Sequence, residues 1–129
     1  MSNDELLCTD DLLAVAARIE RREVSPVEVV DAMLARIERL APALRSFVTV
    51  CEGPAREAAR AAEAEIAAGR YRGPLHGVTF AVKDIVQTAG LSTTCGSALF
   101  ADWCPDADAT VVTRLRDAGA ILLGKLRTT

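Results

Sequence analysis

The sequence predicts an α/β fold, with N-terminal helices packed on the start of a mixed β-sheet. Three observations carry this. Residues 9–68 are dominated by apolar positions at helical spacing. Val78–Lys83 is a short apolar run that leaves a Pro/Gly-punctuated turn. A second apolar run, Ala120–Leu123, follows a helical stretch, so Val78 to Leu123 reads as strand, loop, helix and strand in a parallel crossover unit. The chain thus divides into a mainly helical lead-in, residues 1–72, and the start of an α/β core, residues 73–129.

The first helix is expected after Cys8, with Thr9 or Asp10 as N-cap and Leu12, Val15, Ala16 and Ile19 along one face. It fades in the charged run Glu20–Glu23. The second begins at Ser25, where Pro26 stands at the first helical position and Glu28 completes a capping box. Val27, Val30, Leu34, Ile37 and Ala41 form its apolar stripe, widened by Met33 and Leu40, and read as core packing. Pro42 ends or closely follows this helix.

Phe47–Val50 is short, apolar and β-branched, hence a strand. An alanine-rich helix runs from about Pro54 to Ala68, with Gly69 as its C-terminal cap. After the Gly69–Gly77 loop comes Val78–Lys83, expected to be the central strand. Its faces, Val78/Phe80/Val82 and Thr79/Ala81/Lys83, are both largely apolar, as in a strand covered on both sides. Lys83 then lies at the end of a buried strand, where an ammonium is costly unless paired or neutral. Thr88–Ser97 has the composition of a pocket-lining loop. Asp106 or Asp108 is expected to cap a helix through Asp117, with Val111, Val112 and Leu115 inward and Gly119 as its stop.

Composition narrows the function classes. Half of the residues are hydrophobic and 26% are charged, as in a folded globular chain. A net charge of −3 and 4% aromatic residues disfavour a nucleic-acid interface. No apolar run approaches the roughly 18 residues of a membrane span. The acidic start, Met1–Glu5, is not a secretory signal, and the expected location is cytoplasmic. The cysteines Cys8, Cys51, Cys95 and Cys104 include no C-x-x-C pair, and with the single His76 they favour neither a disulfide framework nor a metal site. No cofactor is implied.

Pro74–Asp84, continued by Thr88–Ser97, resembles the opening of the amidase signature family. Asp108–Val112, Leu115–Lys125, Ser25–Val30 and Phe47–Val50 resemble further blocks of that family, in the right order. The resemblance implies the amidase signature fold and hydrolysis of small carboxamides by a Ser-Ser-Lys triad, with Lys83 as the catalytic lysine. It also implies that both serines lie beyond the position of Thr129. Ser92 and Ser97 belong to another block and read as loop hydroxyls. Asp84 reads as a local hydrogen-bonding or turn residue, not as the ion-pair partner of Lys83. His76 reads as a turn residue, and His76 with Cys95 makes no nucleophile–base motif. Ile85 and Val86, and Leu126 and Arg127, depart from the commonest family residues after Lys83-Asp84 and Gly124-Lys125.

Because Gly124–Thr129 reads as the start of a longer family motif, the expectation is a truncated chain that is inactive alone. The resemblance equally admits the glutamine-hydrolysing A-type component of a tRNA-dependent amidotransferase. A different class also stays open: a non-catalytic module that binds or self-associates through exposed strand edges.

Overall fold

A computed structural model describes residues 1–128. The chain begins with a helix that apolar spacing does not announce, α1 (Asn3–Thr9). Ser2 and Glu5 form a capping box there, and Leu7 is wholly buried. Because Asp10 closes α1, the next helix, α2 (Leu12–Glu20), starts one residue later than expected, with the Asp11 carboxylate accepting from the Ala14 N–H at 2.8 Å.

Ser25 and Glu28 cap each other's backbone groups at the start of α3 (Pro26–Leu44), as their spacing predicts. Pro42 does not end this helix. It sits inside the last turn, and the chain leaves the helix only at Arg45, in the left-handed region with φ 49°. Strand β1 (Phe47–Val50) and helix α4 (Glu52–Ala67) follow. The helix starts two residues before Pro54, so Pro54 occupies its first turn, where a missing N–H leaves no intrahelical bond unmade.

The sheet corrects one expectation. Strand β2 (Thr79–Lys83) is not central: the order is β1–β3–β2, with β3 (Ile121–Leu126) in the middle. β3 runs parallel to β2, the expected crossover, and antiparallel to β1. Between the pairs Phe80↔Leu122 and Val82↔Lys125, β3 carries one extra residue. Gly124 lies at this irregularity. A Cβ there would stand 2.1 Å from the Thr49 carbonyl oxygen, so the close approach of β1 requires glycine.

Both faces of β3 are covered, and for that reason its first five residues are buried. Ile121 and Leu123 pack with Val30, Leu34, Ala55 and Ala59 of α3 and α4. Leu122 packs on the opposite face with Val82 and with Val112 of the crossover helix α5 (Thr110–Asp117). Alternation along β3 thus assigns one face to each helix layer. A further core joins Leu7, Val15, Ile19, Val24 and Val29 to Val78 and Ala120.

The crossover departs from expectation in two details. Ala109, without a side-chain bond, stands at the N-cap of α5, because the Asp108 carboxylate instead accepts from the Ala89 N–H at 2.7 Å. Val111 faces outward, 51% exposed, since adjacent helical positions diverge by about 100° and Val112 takes the buried one.

Candidate functional site

Lys83 is the last residue of β2, opposite Leu126 in register. It is exposed, not buried as the apolar run predicts. The reason is sheet order: β2 has β3 on one side only among the described residues. The lysine enclosed by protein is Lys125, on the central strand, with no exposed surface. The conflict between ammonium and burial expected at Lys83 therefore belongs to Lys125. Its signal was present in the sequence, as a cation closing the apolar run Ile121–Gly124.

Next to Lys83, Asp84 is also fully buried. Its N–H donates to the Leu126 carbonyl at 2.8 Å, and its carbonyl accepts the Cys95 N–H at 2.9 Å. Its Oδ2 accepts the Thr94 hydroxyl, and its Oδ1 lies 3.6 Å from Lys125 Nζ. Asp84 is thus a partner of Lys125, and the reading that it does not pair with Lys83 agrees with this geometry. Lys125 Nζ also donates to the Val86 carbonyl and to Thr93 Oγ1, both at 2.8 Å. Burial pushes the Lys125 ammonium toward a lower pKa, and the Asp84 carboxylate opposes that shift.

These bonds tie the loop that leaves β2 to the central strand. Thr93 has no exposed surface, and its N–H donates to the Trp103 carbonyl at 2.9 Å. Thr88, equally buried, turns its hydroxyl back to the Val86 carbonyl at 3.1 Å. A recess of about 300 Å³ opens beside this clamp, lined by Val48, Asp84, Thr94, Gly96, Ser97 and Arg127.

The other candidates fall outside this cluster. Ser97 caps the short 3₁₀ turn Ala98–Phe100 by accepting from the Leu99 N–H at 3.2 Å. Ser92 contacts only the Cys104 thiol, at 3.7 Å, among its side-chain hydrogen bonds in the described residues. Both are the loop hydroxyls that were expected. His76 lies in a turn but is buried and bonded to Glu65 and Arg72, whereas Cys95 is exposed beside Asp84. Among the described residues no group of three or more His, Cys, Asp or Glu side chains could hold a metal ion, and no helix is long and apolar enough to cross a membrane.

Comparison with known proteins places this architecture. The family model described as Amidase matches residues 28–129. The putative amidase AmiD of Mycobacterium tuberculosis is 48% identical over 119 residues, 92% of this chain and 25% of that protein. A glutamyl-tRNA(Gln) amidotransferase component from Acidothermus cellulolyticus, the A-type polypeptide of that enzyme, is 50% identical over 111 residues, 86% of this chain and 22% of that protein. The chain therefore spans about a quarter of the length of these curated relatives. Among solved structures, the peptide amidase of Stenotrophomonas maltophilia superposes with a TM-score of 0.85 at 36% identity, covering 92% of this chain and 24% of that one. A fatty acid amide hydrolase superposes with a TM-score of 0.94 over 100% of this chain and 23% of that one; at 18% identity this likeness speaks to fold alone. The family match extends over most of the chain, from the start of α3 through the whole α/β core that holds Lys83 and its buried neighbours: the chain belongs to the Amidase family.

Proposed function

We propose that this chain supplies the catalytic lysine, Lys83, of an amidase-type serine hydrolase that cleaves the C–N bond of small carboxamides. The family match, which includes Lys83, is the observation that carries this reading. In the scheme that the family resemblance implies, a serine hydroxyl attacks the amide carbonyl. A second serine relays its proton toward the lysine amine. The leaving amine takes a proton as the C–N bond breaks, and water then hydrolyses the acyl-enzyme. Both serines are expected outside residues 1–129. The exposure of Lys83 at the end of β2 fits a divided site, its amine open to groups supplied from outside residues 1–129.

The test is hydrolysis of a simple primary amide such as benzamide by the full product of the gene. Lys83→Ala should lower kcat by about 10²–10⁴-fold, the usual range for a lost proton-transfer group. A variant within twofold of the parent would overturn the reading. The 50% identity to an amidotransferase component favours a second reading, in which glutamine is the amide and ammonia is passed on. Glutamine hydrolysis that rises when glutamyl-tRNA(Gln), the ammonia acceptor in that reading, is added would select it, with Lys83 in the same role.

A further inference from the structure

We propose that the buried Asp84–Lys125 pair is a positioning device, which fixes the end of β2 so that Lys83 is held in its working direction. The proposal rests on the reading of Lys83 as the proton-transfer residue.

Its first support is the reach of the clamp. Asp84 is held through its N–H to Leu126, its carbonyl to Cys95 and its Oδ2 to Thr94. Its Oδ1 has no hydrogen-bond partner among the described residues and faces Lys125 Nζ at 3.6 Å. The same ammonium grips Val86 and Thr93, on the two limbs of the loop that leaves β2. Lys83 itself contributes its carbonyl to the Val86 N–H at 2.9 Å. The residue before it, Val82, stands opposite Lys125 in register, and the residue after it is Asp84. Lys83 is therefore flanked by Val82, paired with Lys125 along the sheet, and by Asp84, whose carboxylate faces the Lys125 ammonium. Consecutive residues of a strand point to opposite sides, so with Val82 buried the last strand residue, Lys83, points outward. Holding Asp84 in the turn that follows fixes this end of the strand, and with it the direction in which Lys83 leaves it.

A second support is energetic. A buried ion pair is a poor source of stability, because apolar side chains of similar volume do as well or better, and its best-attested use is to select one geometry. Here the pair spans the central strand and the residue beside the proposed catalytic group. Both partners are fully buried and the proposed proton-transfer residue is exposed, so the polar network does not serve to bury Lys83. What it can supply is direction.

The test uses the full product of the gene, with steady-state amide hydrolysis measured well below the thermal midpoint and folding checked by circular dichroism. The double variant Asp84→Asn with Lys125→Met removes both charges together, so neither is left buried alone. It should fold, keep KM within about twofold and lower kcat by about 10–100-fold, the scale of a misplaced catalytic group. Thr94→Val, nearly isosteric, removes one bond to Asp84 and should lower kcat less, again with KM held; it decides the matter if the double variant does not fold. Lys83→Ala is measured alongside. Inactive Lys83→Ala together with a folded clamp variant of parental kcat would overturn the positioning role while leaving Lys83 in place. Active Lys83→Ala would overturn the underlying reading, and the positioning role with it.

Discussion

His76 donates from Nε2 to Glu65 Oε2 at 3.0 Å and accepts the Arg72 N–H on Nδ1 at 3.1 Å, with its ring 1% exposed. It packs against Gly119, where a Cβ would stand 2.5 Å from the imidazole Cδ2. Burial is the main cause that pushes its pKa below 6.5, against the pull of Glu65. A group whose folded pKa is lowered binds its proton more readily when unfolded, so its contribution to stability is full above about pH 6.5 and is lost as pH falls below it. The urea midpoint should therefore drop between about pH 7 and pH 5, and His76→Gln should drop less over that window. Parallel curves would contradict this. At Gly124, alanine should destabilise the chain by roughly 1–3 kcal/mol, because its Cβ meets the Thr49 carbonyl and not a flexible side chain; thermal melts of the variant check this. The sequence shows His76 as a turn residue but not as a buried one. Its partners Glu65 and Arg72 come from α4 and the following loop, and only the fold brings them together.

At the scale of elements, the most legible start was that of α3. Ser25, Pro26 and Glu28 are a local device whose physics needs no tertiary contact, and all three act as their spacing predicts. Ser25→Ala should lower stability by about 1 kcal/mol and the thermal midpoint by a few degrees. An unchanged melt would show that packing, not the cap, holds this end. The capping box at Ser2 and Glu5 is equally local, but α1 has only seven residues and its only buried side chain is Leu7, too little periodicity to announce a helix. The parallel pair β2–β3 was legible from the strand–helix–strand rhythm. Which strand is central was not, because that depends on β1, distant in sequence, adding to the far edge of β3. The burial of Lys125 and the exposure of Lys83 both follow from that one choice.

For the whole molecule, helices cover both faces of the central strand, yet much apolar surface stays outside. Leu99 is 90% exposed, Leu13 68%, Leu44 63% and Ile85 53%, while Phe100 and Trp103 are also exposed. With an edge strand besides, the 129-residue chain should self-associate as its concentration rises. Sedimentation velocity should show larger species at higher loading, and a monomer at every loading would contradict this. The fold class and the family were legible across nearly the whole sequence, because several blocks occur in order. The clamp around Asp84 was not, since its members are local in sequence only in part: Thr93 and Thr94 lie on one loop and Lys125 on a strand beyond the crossover helix.

The proposed divided site, with Lys83 in this chain and the serines outside residues 1–129, has a direct consequence for the chain alone. The measurement is ammonia release from benzamide by the purified 129-residue chain, with Lys83→Ala beside it. Neither protein should release ammonia above the uncatalysed background. Release by the parent chain that disappears in Lys83→Ala would contradict the divided site, because the nucleophile would then have to lie within these residues.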